Sequence, residues 1–210
     1  LPPGFQFILL ALIAGPMGKC AQIPLHLWLD EAMEGPNPAS ILRNSVVVTC
    51  GAIVLMKLMP IVALSPLATQ VLLAVGTISA LGGALVALAQ VDLKRAFSYS
   101  TTSYLGLVFI AIALQQPGLA LLLLFAHGLA RALQFMSVGS VIATTNCQDL
   151  TELGGIGTRM PATATAFLVG SAGVVGVLPL GGFWCYGLLV ENLRQLAALF
   201  AAIFLITNLL

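Results

Sequence analysis

The chain has 210 residues, 60% of them apolar and 7% charged, whereas a water-soluble domain carries roughly a quarter charged residues. Eight basic residues against seven acidic ones leave a net charge of +1, which excludes a nucleic-acid binder, and so high a hydrophobicity excludes disorder. What remains is an all-α, polytopic transmembrane helix bundle of about seven spans at about 20 residues each, with no room for an aqueous domain.

Leu1-Pro2-Pro3 carries no basic n-region of a signal peptide, and the apolar run Ile206 to Leu210 ends without a closing loop. The sequence reads as an internal piece of a longer membrane protein, with residues 1–210 forming part of one membrane domain. Segment one, Phe5 to Leu29, is expected to break at Gly15-Pro16 and again at Pro24, because proline removes a backbone donor and clashes with the preceding turn. In lipid such breaks are tolerated only where protein or a water-filled cavity satisfies the freed groups.

Segment two runs from about Ala39 to Met59, after the turn Gly35-Pro36-Asn37-Pro38, with Arg43 and Asn44 near its start and Lys57 at its end. Segment three, Leu67 to Ala89, is uncharged, and its Gly76, Gly82 and Gly83 suit close helix contact. The aqueous turn Gln90 to Arg95 leads to segment four, Phe97 to Leu114, which opens with the hydroxyl-rich run Ser98 to Tyr104. Segment five, Leu119 to Thr144, precedes a polar loop from Asn146 to Met160. Segment six, Pro161 to Leu178, is rich in small residues and ends at Pro179-Leu180-Gly181-Gly182; segment seven runs from Phe183 onward. Its Glu191 and Arg194 are spaced to pair near a helix end. Gly170, Gly173 and Gly176 follow no strand, so they read as helix packing and not as a dinucleotide loop. The joints after segments one, three and five carry Lys94, Arg95 and Arg159, the other joints only Lys57, which favours the first set facing the cytoplasm.

Cys20, Cys50, Cys147 and Cys185 share no metal-ligand spacing and read as small buried side chains. No metal or cofactor site is expected in the chain. A charge at mid-membrane costs roughly 2.5–3.5 kcal/mol, so each one there needs a reason. Lys19 lies about 21 Å of helix past Phe5, between the expected breaks, where a lysine can take up and release a proton. His127 lies roughly 13 Å into segment five, and Arg131 follows one turn later on the same face; two ionisable groups on one intramembrane face suggest a hydrated path. Arg43 is placed to pair with Glu34 or Glu31. The two Gly/Pro-broken segments, one and six–seven, stand where paired broken helices mark the ion site of many transporters.

The run Gly18-Lys19-Cys20-Ala21-Gln22-Ile23-Pro24-Leu25-His26-Leu27-Trp28-Leu29, continuing through Ala32-Met33-Glu34-Gly35-Pro36-Asn37-Pro38, resembles the antiporter-like membrane subunits of complex I. Gln90 to Arg95 with Ser98-Tyr99-Ser100-Thr101, and His127-Gly128-Leu129-Ala130-Arg131, resemble the same family's later signatures. Within it the chain is most similar to the chain-5 (F-type) subunits, and Ile41-Leu42-Arg43-Asn44-Ser45 to the cyanobacterial variants tied to carbon dioxide uptake. The resemblance implies a membrane-arm subunit of a proton-translocating quinone oxidoreductase, in a thylakoid or plasma membrane. Its partners would be the other membrane-arm subunits, the lipid bilayer and a carbon dioxide hydration subunit. It implies no redox centre in this chain; quinone and iron–sulfur clusters belong to the parent complex. Lys19 and His127 then match the family's proton carriers, with Arg131 where lysine is more usual. Asn44 replaces a titratable histidine beside Arg43, and Tyr186 replaces the lysine of the second broken helix, so the resemblance implies a modified relay. A multi-subunit sodium/proton antiporter subunit and a non-pumping scaffold are the competing readings.

Overall fold

The computed structural model describes residues 3–177 and 179–194. Its helices in chain order are α1 (Pro3–Lys19), α2 (Leu27–Glu31), a 3-10 turn (Ala32–Glu34), α3 (Asn37–Leu42), a π turn (Arg43–Val47) and α4 (Thr49–Val62). They continue as α5 (Pro66–Ala89), α6 (Leu93–Ala113), α7 (Pro117–Thr145), α8 (Ile156–Arg159), α9 (Pro161–Val175) and α10 (Gly181–Arg194). Among the described residues four runs are long and apolar enough to cross a membrane: Asn37–Val62, Pro66–Ala89, Leu93–Ala113 and Pro117–Thr145. The residues of segment seven beyond Arg194, and the Arg194 side chain with its expected Glu191 pair, lie outside the described residues.

The helix starts follow from local chemistry. Proline occupies the first turn of α5, α7 and α9, where its missing N–H is not needed. Ser65 Oγ accepts from the Ala68 N–H and Asp92 Oδ1 from the Arg95 N–H, capping α5 and α6. Segment four thus begins at Leu93, earlier than the hydroxyl run alone indicates. Segment one departs from expectation more sharply. Gly15-Pro16 does not interrupt it, since Pro16 lies inside α1 and its carbonyl still accepts from the Cys20 N–H at 2.8 Å. The break falls at residues 20–26 alone.

Helix α6 is the centre of the bundle, buried almost continuously from Ser98 to Ala113 and packed against α5, α7 and α4. Its approach to α5 is backbone on backbone: a Cβ on Gly106 would lie 2.6 Å from the Gly76 carbonyl, and one on Gly83 would lie 2.8 Å from the Ser103 nitrogen. Ser103 Oγ donates to the Ala80 carbonyl across this seam at 2.7 Å. Small residues between membrane helices permit such contact. Gly170 plays the same part between α9 and α7, where a Cβ would press on Gln134. Of the cysteines, Cys20 and Cys185 are buried as expected, whereas Cys50 is exposed and Cys147 half-buried.

One end of the bundle is polar and tied together. Asp92 and Asp149 form an antiparallel bridge, with the Leu93 N–H donating to the Gln148 carbonyl and the Leu150 N–H to the Val91 carbonyl, each at 2.9 Å. Lys94 Nζ donates to the Met33 and Gly35 carbonyls at 3.2 and 3.0 Å, and Arg95 pairs with Asp30 and Glu34. The joints after segments one, three and five therefore share this end, so the broken first segment does not invert the alternation.

Candidate functional site

The break after α1 is held by hydrogen bonds to α5, to α6 and to Val48 ahead of α4. Ala21 takes a left-handed backbone conformation (φ 51°) and turns the chain out of α1. Buried Gln22 donates from Nε2 to the Cys20 carbonyl at 3.0 Å and to the Thr102 carbonyl of α6 at 3.2 Å. The Ile23 N–H donates to Ser79 Oγ of α5 at 3.0 Å, and the Cys20 thiol to the Val48 carbonyl at 3.0 Å. Trp28 Nε1 donates to the Gly18 carbonyl at 2.9 Å. These contacts satisfy backbone groups that the helix no longer pairs, as a non-helical stretch within a membrane requires.

Lys19 is the last residue of α1, where its charge complements the carbonyl end of the helix. It is exposed, with its stem against α4, because a Cβ built on Gly51 meets Lys19 Cβ at 3.0 Å. The interior location between two breaks expected from sequence is thus corrected: there is one break, and the amine stands at its rim.

His127 and Arg131 are both buried, on the face of α7 turned to α6. The π turn sets the histidine. Its wider coil leaves the Asn44 carbonyl facing α7, and His127 Nε2 donates to it at 3.3 Å. Tyr104 stacks on the imidazole, ring centroids 4.6 Å apart. Arg131 donates to Gln134 Oε1 at 3.0 Å and to Ser100 Oγ at 2.8 Å, and its guanidinium carbon lies 5.3 Å from the centre of the Phe97 ring. Among the described residues no carboxylate reaches ion-pair distance of it. Neutral dipoles and an aromatic face stabilise this buried charge. Gln134 Nε2 donates onward to Ser171 Oγ at 3.1 Å, joining α7 to α9.

The remaining sequence candidates separate. Arg43 does not pair with Glu34 or Glu31; Nη1 donates to the Ala32 carbonyl at 2.7 Å. Glu34 is exposed at the polar end and pairs with Arg95 at 3.3 Å, because Arg95 projects from the start of α6 directly over the 3-10 turn. Asn44 is buried, its Nδ2 donating to the Ser40 carbonyl at 3.0 Å. Tyr186, on α10, is half-buried; its hydroxyl donates to the Val174 carbonyl and its ring lies 6.3 Å from that of Tyr104. Sequence reasoning missed Gln22, Ser100, Gln134 and Tyr104 as supports of the three basic groups. The hydroxyl run Ser98 to Tyr104 was a signal for Ser100 and Tyr104 alone.

The whole of residues 2–210 matches the NADH:quinone oxidoreductase/Mrp antiporter transmembrane family. The chain belongs to that family, and is an integral membrane protein. It is 72% identical over 201 residues to NAD(P)H-quinone oxidoreductase subunit 5, organellar chromatophore 2, of Paulinella chromatophora, covering 96% of this chain and 32% of the relative. It is 38% identical to NADH-ubiquinone oxidoreductase chain 5 of Dugong dugon (93% of this chain, 33% of the relative). To the chloroplastic NAD(P)H-quinone oxidoreductase subunit 5 of Citrus sinensis it is 36% identical (91% and 27%). The chain therefore spans about a third of the length of the curated relatives it matches. The fold is shared with a chain of the archaeal membrane-bound sulfane sulfur reductase, at a TM-score of 0.86 and 24% identity over 96% of this chain and 43% of that one.

Proposed function

We propose that this chain carries protons within the membrane arm of a quinone oxidoreductase of the complex I type, through Lys19, His127 and the water-accessible groups between them. One observation carries the reading: the single span Asn37–Val62 touches both basic sites, the Asn44 carbonyl bonding His127 and Gly51 packing on Lys19, about 10 Å apart along the helix. A span with a π turn at one site and a broken helix against the other can pass a change at either end to its neighbour. Arg131 supplies a fixed positive charge one turn from His127, so a protonated imidazole there is repelled, which favours handing the proton on. The polar end, which carries Lys94, Arg95 and Arg159, faces the cytoplasm or its organellar equivalent. Redox centres sit in other subunits, and membrane-arm neighbours flank this one.

The test is a reconstituted complex bearing Lys19→Ala. Quinone reduction is expected to continue while proton translocation per electron falls by at least about 10²-fold. Pumping at the native rate overturns the assignment of Lys19. Sodium-dependent proton flux without quinone would instead indicate the antiporter function. The similarity of Ile41 to Ser45 to carbon dioxide uptake variants supports a partnership with a hydration subunit, tested by co-purification with it.

A further inference from the structure

Between α7 and α9, at the polar end, two cavities adjoin. One, of about 340 Å³, is an apolar groove walled by Val138, Val141, Leu150, Phe167 and Leu168. The other, of about 550 Å³, is polar and is lined by Thr144, Thr145, Glu152 and Arg159. Leu153 and Ile156 border both, so the two form one cleft with an apolar arm and a charged mouth.

The charge at the mouth is uncommitted. Among the described residues Arg43, Arg95 and Arg131 each hold a protein oxygen, but Arg159 has neither a hydrogen bond nor an ion pair. Glu152 lines the same mouth without reaching it, and its Oε2 instead accepts from the Cys147 thiol at 3.3 Å. The threonines at the mouth are turned to their own helix, Thr144 Oγ1 donating to the Ser140 carbonyl and Thr145 Oγ1 to the Val141 carbonyl. A free guanidinium is therefore the group that selects an occupant, and it selects an anion.

The apolar arm restricts the occupant further. Of its two hydroxyls, that of Ser137 is spent on the Leu133 carbonyl, so Thr163 alone cannot serve the backbone of an extended peptide, which would need a partner at every residue at membrane depth. A flexible hydrocarbon chain fits it, entering past Leu168, which is 66% exposed.

The geometry points to a bound anionic glycerophospholipid, its phosphate on Arg159 and one acyl chain between α7 and α9. This site is separate from the Lys19 and His127 groups and does not depend on the function proposed for them. A photoactivatable residue at Leu168, in the intact complex in its native membrane, is expected to yield a phospholipid adduct. The control is the same residue at Phe125, 67% exposed elsewhere on α7. Arg159→Gln should cut the anionic-lipid adduct at Leu168 about fivefold relative to Phe125, Arg159→Lys should retain most of it, and Ala164→Trp should fill the groove and abolish it. Quinone reductase activity confirms that each variant assembles. A polypeptide adduct at Leu168, from a neighbouring subunit or another part of the same protein, overturns the proposal. So does a phospholipid yield equal at the two positions and unchanged by Arg159→Gln.

Discussion

The two interruptions in the bundle are built differently. After α1, the chain between Cys20 and His26 is pinned by Gln22 to α6, by Ser79 to α5 and by the Cys20 thiol to Val48, and a lysine stands at its rim. Between α9 and α10, Gly176 adopts a left-handed conformation (φ 85°), and a Cβ there would lie 2.5 Å from the Tyr186 ring. The Val174 carbonyl is taken by the Tyr186 hydroxyl. The first break leaves a lysine amine exposed at its rim, and its backbone is fixed by its neighbours. The second is closed by a phenol whose hydroxyl is spent on a backbone carbonyl. On the proposed function the first break is a proton site and the second a seal, two uses of one motif that differ in the side chain beside the freed carbonyl.

The comparison is broken most directly by activity. Tyr186→Phe should leave proton translocation within about twofold of the parent, where Lys19→Ala lowers it at least about 10²-fold. Equal losses in the two variants, measured with a pH-sensitive dye in the same liposomes, would show that both breaks carry protons. Stability gives the next largest difference, with the first break again the more sensitive. Gln22→Leu leaves the Cys20 carbonyl without its side-chain donor and cuts the tie to Thr102 of α6, and a dry unpaired carbonyl costs about 1–3 kcal/mol. Tyr186→Phe removes one such bond, for about 1 kcal/mol. Trp28, bonded to Gly18 within the first break, reports unfolding there by its fluorescence; a smaller shift for Gln22→Leu than for Tyr186→Phe contradicts the pinned-break account.

The bundle, most of its spans and the interior positions of His127 and Arg131 were legible in the sequence, because burying charge in lipid is costly and leaves few candidates; that of Lys19 was not. Pro16 misled because a proline inside a membrane helix breaks it only where neighbours take over the freed groups; at Pro16 the helix closes over, and at residues 20–26 Gln22 and Ser79 are present to hold the break. The pairing of Arg43 with Glu34 failed for a related reason. Sequence proximity set the two side by side, yet Arg95, about 60 residues further on, arrives over the same turn through the α5–α6 hairpin and takes Glu34. Gln134 was illegible as a support of Arg131, since a neutral side chain in an apolar run carries no signal until tertiary contact shows what it faces, and the hydroxyl run marked Ser100 without showing its partner.

The polar end provides a smaller contrast with both breaks, because its bonds are exposed and screened. Arg95→Gln removes ion pairs in which Arg95 is 40% and Glu34 77% exposed, so about 0.5 kcal/mol is expected, readable as a small drop in thermal midpoint that vanishes at high salt.

The smallest effect is that of Asp149, whose Oδ1 accepts from the Thr151 N–H at 2.8 Å and the Thr151 hydroxyl at 2.6 Å. These bonds favour the carboxylate and hold its pKa below the ordinary aspartate range. The unfolded chain therefore binds this proton more readily than the folded one, and the contribution to stability is complete above the ordinary aspartate pKa. It is lost as pH falls through the lower folded value. Asp149→Asn keeps an acceptor for the turn but removes the titration, so the variant and parent should converge at acid pH and differ slightly near neutrality. Exchange of the Leu150 amide, bonded to Val91 across the bridge, isolates this joint from the rest of the bundle. If Asp149→Asn shifted the Trp28 signal as far as Gln22→Leu does, the polar end would be coupled to the first break instead of lying outside it.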